Sequence, residues 1–252
     1  MNDAIIVGLW GLMSGSGLLV GALAADTLSK KIGHRTIAAV MGFGAGVQLA
    51  VVTIGLNREA FRPEAGLSAI GALLGGAAMF SGINRYLARL GAKNRKRCGD
   101  CVAQPGEGQQ RGSGSAIAVG SVLDGIPEAL VIGLSVMAGN TFGFGVVAGF
   151  FLANVPQGLS SAAGMKAAGR SRRYIFAIWT GIPLLMGLSA AVGNLMFSAS
   201  PTEAAVILAF AAGAVLAMLT ETVIPEAVDD APPFIGCIAV GGFLASLLLT
   251  LP

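Results

Sequence analysis

SVLDGIPEALVIG, residues 121–133, sets Asp124 and Glu128 one helical turn apart inside an otherwise apolar stretch. Residues i and i+4 share one face of a helix, so the two carboxylates point the same way. On insertion scales an acid at mid-bilayer costs roughly 2.5–3.5 kcal/mol, while each Leu or Ile returns only about 0.3–0.6. Gly125 and Pro127 loosen the same turn, because proline removes the donor that would hold the carbonyl four residues earlier. Such a pair needs a physical reason, and the reason depends on what surrounds it.

The surroundings read as membrane. Charged residues make up 12% of the chain and hydrophobic ones 54%, whereas a soluble domain carries about 25% charge. A bilayer core calls for ~20 apolar residues per helix, and runs of that length predict spans near 4–24, 36–56, 66–88, 115–138, 142–165, 174–198, 203–225 and 233–251. The runs are continuous rather than alternating, which favours helices over a closed barrel. The expected fold is therefore an all-α membrane protein: eight transmembrane helices in one bundle, a single domain over 1–252. Ala22-Leu23-Ala24 has the look of a cleavage site, but Asp3 and no Lys or Arg precede it, so the first segment is read as a span.

Basic residues orient the bundle. Lys30, Lys31 and Arg35 follow the first predicted span; Arg85, Arg89, Lys93, Arg95, Lys96, Arg97 and Arg111 cluster around the third-to-fourth connection; Lys166, Arg170, Arg172 and Arg173 follow the fifth. Only Arg58 and Arg62 fall in the opposite set, which predicts both termini on the extracytoplasmic side. Residues 91–114 become a cytoplasmic loop whose basicity is a topological signal and calls for no nucleic acid. Glycines four apart, at 17 and 21, 42 and 46, 71 and 75, and 145 and 149, predict close helix crossings.

Within this frame the acids have two readings. They are neutral or paired with a buried base and merely fix packing, or they serve an ion. No Lys, Arg or His lies mid-span, so pairing with a base is not expected. Two neighbouring carboxylates in low dielectric resist joint ionisation unless a cation sits between them, and intramembrane acids mark ion pathways. In an antiparallel hairpin of equal rise, residue 124 lies level with about 156, which brings in Asn154 and Gln157 of FLANVPQGLSSA (151–162), along with Pro156, Ser160 and Ser161. LTETVIPEAVDD (219–230) repeats the Pro-acid theme. Glu221 is expected as a further ligand, and Glu226, nearer the cytoplasmic interface, as part of a release pathway. Carboxylates, amides and hydroxyls together suit a hard or borderline divalent cation. The only imidazole, His34, is expected on a cytoplasmic loop. CGDC places Cys98 and Cys101 at half a zinc site's spacing, a weak cytosolic metal contact at most. Asp124 is the only aspartate well inside a predicted span and there is no G-x-x-x-x-G-K-[ST] loop, so neither aspartyl proteolysis nor ATP-driven pumping by this chain is expected; the chain is read as no enzyme.

With these motifs in view, the chain resembles the ZIP family of divalent metal transporters (Zrt- and Irt-like proteins) over nearly its whole length. DGIPEA (124–129) is similar to the family's His-Asn-x-Pro-Glu-Gly, with Asp124 in the His place, Gly125 for Asn, Glu128 retained and Ala129 for Gly. It also looks like a bacterial branch in which Asp-Gly-Ile-Pro-Glu is usual. ANVPQG (153–158) has Ala153 in the His place, Asn154 retained and Gln157 where Glu is expected, and FAAGAVLAMLTETVIPEA (210–227) is similar to the family's acidic Pro-Glu helix. The resemblance implies an inner-membrane, multi-pass bundle that moves a metal of the zinc, iron or manganese class toward the cytoplasm. It implies no resident cofactor, the divalent ion and the lipid bilayer as partners, and room for a homodimer. The departures are concrete: residues 174–198 hold no acid or histidine where the family tends to place one, and Gln157 cannot ionise. They point to one centre rather than two, and keep a non-transporting relative, a metal sensor or membrane-structural subunit, as the alternative.

Overall fold

The structure is a computed structural model that describes residues 2–28, 33–55, 60, 65–93, 95, 104–106, 108–110, 113–135, 140–197, 201–229 and 231–250. Among them there is no strand. The helices are α1 (Asn2–Leu28), α2 (His34–Gly55), α3 (Gly66–Leu87), α4 (Ser113–Ser135), α5 (Asn140–Ala167), α6 (Arg172–Phe197), α7 (Pro201–Met218), α8 (Ile224–Asp229) and α9 (Ile235–Thr250). Among the described residues seven helical stretches are long and apolar enough to cross a membrane, and α9 adds a shorter apolar helix. At 1.5 Å per residue its 16 residues rise about 24 Å, a little under the hydrocarbon thickness. His34 opens α2 instead of lying in a loop.

The bundle is apolar outside as well as inside. Ile5, Leu9, Leu74, Leu184, Leu188 and Leu248 all face outward, an arrangement compatible with lipid as the surrounding solvent. The helices carrying the acidic and amide motifs lie deep: α4's apolar window is 67% buried and α5's 78%, against 17% for α3. α1 packs on α5 and α6, α2 on α5 and α9, α3 on α7, and α4 on α6 and α7.

Small residues set the closest crossings. A Cβ on Gly158 of α5 would run into the backbone of Leu18, and one on Gly17 or Gly21 of α1 into the backbone of Phe151 or Val155. The expected pair at 71 and 75 plays no such part: Gly71 faces open space, and Gly76 makes the close approach, to the backbone of Phe210 on α7. One residue is 100° of helix, so spacing alone could not say which face of α3 meets its neighbour. Gly158→Val is expected to cost about 1–3 kcal/mol or more through forced separation of α1 and α5, whereas Gly71→Val leaves thermal stability unchanged. Melting in detergent, followed by size exclusion, checks the contrast.

Among the described residues, π-helical turns follow α3 and α7. Leu219–Val223 joins α7 to α8. Pro225 supplies no N–H to the carbonyl of Glu221, so the ladder widens there. The other turn, Ala88–Ala92, ends α3 with Gly91 at φ 101°, a backbone region costly for any residue with a Cβ. This turn brings the following residues back against the bundle.

Candidate functional site

α4 and α5 run helically through Pro127 and Pro156. Asp124, Gly125 and Glu128 of α4 and Asn154, Gln157 and Ser161 of α5 line one small cavity, closed further by Leu18 of α1, Ser121 of α4 and Trp179 of α6. Its free volume is about 10 Å³, the room one water-sized guest needs. All four acid and amide side chains are buried, Glu128 to 1% exposure. Four oxygen-bearing side chains from two helices therefore meet at one depth.

Several of these polar groups are held by a neighbour. Gln48 of α2 donates its Nε2 to Glu128 Oε1 at 2.5 Å. Asn154 donates Nδ2 to the carbonyl of Ser14 at 3.3 Å. Trp179 contributes a buried indole N–H that has no hydrogen-bond partner among the described residues, a donor left over for the oxygen of a guest.

Asp124 has a partner the sequence argued against. Arg95, from the α3–α4 connection, donates Nε to Oδ2 at 3.1 Å and Nη2 to Oδ1 at 2.8 Å, the bidentate fork that guanidinium and carboxylate form best. The pair is deeply buried, with side-chain exposures of 1% and 7%. The expectation that no base reaches the acids is corrected here: the base arrives from outside the spans. Gln104 of the same connection is also buried and donates Nε2 to the carbonyls of Arg95 (2.9 Å) and Ser161 (3.4 Å). The 91–114 segment is thus in part a piece of the bundle. Cys98 and Cys101 lie outside the described residues.

The remaining candidates stand apart from the cavity. Glu221 sits exposed in the π turn Leu219–Val223 and accepts from the hydroxyl of Ser81 and, at 2.7 Å, from Nδ2 of Asn84, both on α3. Glu226, expected nearer the interface, is the more buried of the two and accepts from Ser160 Oγ at 2.8 Å. Ser160 and Ser161 thereby face different groups, one toward Glu226 and one into the cavity.

Neither a scan against protein-family models nor a search of the curated proteins returns a match. The chemistry must then be judged on the donors alone. Among the described residues no three of His, Cys, Asp and Glu form a group fit for a metal ion; the cavity offers two carboxylates, two amides and hydroxyls. That is an all-oxygen set when the amides turn their carbonyls inward, of the kind hard cations take. Sequence reasoning missed Gln48, Trp179 and Arg95. Gln48 carried a signal, as the lone amide in an apolar run, and Arg95 carried none.

Proposed function

We propose that this chain is a ZIP-like transporter that carries a divalent transition metal of the zinc, iron or manganese class across the inner membrane toward the cytoplasm. On this reading α9 completes eight spans and both termini are extracytoplasmic. The observation that carries it is the convergence of Asp124, Glu128, Asn154 and Gln157 on one buried cavity. Arg95 offsets the cost of burying Asp124, and Glu128, 1% exposed beside it, adds a second carboxylate that packing alone does not call for. Asp124 and Glu128 are the charged ligands, Asn154 and Gln157 the neutral ones. Glu221 and Glu226, outside the cavity, assist release of the ion toward the cytoplasmic mouth. Rocking of one group of helices against another would open the cavity to each side in turn.

A second reading, a non-transporting sensor or membrane-structural relative, is favoured by one fact: Asp124 already holds a guanidinium. Sealed proteoliposomes separate the two. Time-dependent accumulation of Zn²⁺, Fe²⁺ or Mn²⁺ inside vesicles bearing the protein, above protein-free vesicles, is the expected result. Saturable binding with no accumulation would instead make the protein a sensor.

A further inference from the structure

Arg95 has no role in the transport scheme as stated, yet the chain goes to some length to seat it. The guanidinium engages both oxygens of Asp124, gives Nη1 to Asn84 Oδ1 at 2.7 Å and lies 3.4 Å from the carbonyl of Ala92. Gly120, one turn before Asp124 on the same face of α4, leaves the slot it occupies: a Cβ there would stand 2.7 Å from Arg95 Cδ and 2.9 Å from Nε. Gln104 ties the backbone of Arg95 to that of Ser161, on the cavity wall.

We propose that Arg95 is a tethered counter-cation that a divalent ion must displace from Asp124 before it can be held by Asp124 and Glu128 together. The inference rests on the reading of the cavity as a cation site. The guanidinium and a divalent ion compete for the same carboxylate, and like charges at that separation exclude each other in a medium that screens poorly. One positive charge, always present and covalently attached, keeps the acid pair from standing bare when no ion is bound. The displaced guanidinium has somewhere to go. Asn84 already holds one of its nitrogens and passes its own amide N–H to Glu221, an exposed carboxylate farther from the cavity. Binding the ion and releasing Arg95 are then one exchange, so the cavity and the cytoplasmic connection report on each other.

The test is a titration of full-length protein in detergent with Co²⁺, read as quenching of Trp179 in a Trp10→Phe background. Arg95→Gln is expected to bind Co²⁺ at least ~10-fold tighter than its parent, with Arg95→Lys between the two, since an ammonium cannot fork onto both oxygens. Co²⁺ is also expected to raise the melting temperature of Arg95→Gln more than that of the parent. Should Arg95→Gln fail to fold, two other measurements decide. Gln104→Ala, which keeps the charge and cuts the tether, tightens binding severalfold. In the parent, Co²⁺ accelerates trypsin cleavage after Arg95, identified by mass, and Glu128→Gln abolishes the acceleration. Unchanged or weaker Co²⁺ binding in a folded Arg95→Gln, or cleavage after Arg95 indifferent to saturating Co²⁺, overturns the exchange. The two ideas fail separately: metal flux with no effect at Arg95 removes the exchange alone, and an Arg95-dependent Co²⁺ site without flux removes transport alone.

Discussion

Glu128→Gln is expected to abolish metal uptake into proteoliposomes, by more than roughly 100-fold, with the fold intact. Loss of a supporting group around a metal already costs about 10–100-fold, and Glu128 would be a ligand itself, one of only two charged ones in the cavity. The substitution is nearly isosteric, and the amide oxygen it introduces can go on accepting the bond from Gln48 Nε2 that Glu128 Oε1 accepts now. Unfolding is therefore not the expected route to inactivity. Uptake of Zn²⁺ and Mn²⁺, measured beside the melting curve of the same preparation, checks both halves. Wild-type uptake by a folded Glu128→Gln protein would take this carboxylate out of the pathway.

The second large effect concerns stability. Asp124→Ala strands the Arg95 guanidinium in a place 1% exposed, and removing one partner of a buried ion pair typically costs about 3–5 kcal/mol. Replacing both partners by apolar residues of similar volume, Arg95→Met with Asp124→Leu, is often neutral or stabilising. The double variant should thus melt well above Asp124→Ala. A coupling of roughly zero across this cycle would mean that the pair is solvated. The double variant also lacks a metal ligand, so transport and stability are expected to part company: inactive protein with a sound fold.

How much of this was legible follows from where each signal resides. The quartet on α4 and α5 was readable because mid-span polarity is costly and i, i+4 geometry is fixed by the helix. Gln48 obeys the same logic and could have been found by asking it of α2. The register of an antiparallel pair placed Asn154 and Gln157 level with the acids, although α4 and α5 touch only lightly and lean more on α6, α7, α1 and α2. Arg95 could not be found this way. It stands in KNRKR, residues 93–97, where every basic residue satisfies the positive-inside rule equally well. What singles it out is tertiary: the left-handed Gly91 that turns the chain and the missing side chain at Gly120 that receives it. That Glu226 is buried in the bundle while Glu221 is exposed was illegible for a related reason. Sequence spacing tells which face a residue presents only while the helix is regular, and a π turn falls just ahead of Pro225.

The size of the cavity bears on selectivity under the transport reading. A space with room for one water-sized guest admits an ion almost bare, so nearly the whole hydration shell must be shed at the threshold. Magnesium carries the same charge as the transition metals but gives up its water reluctantly. A narrow chamber therefore discriminates by the cost of undressing the ion, before any preference among ligands comes into play.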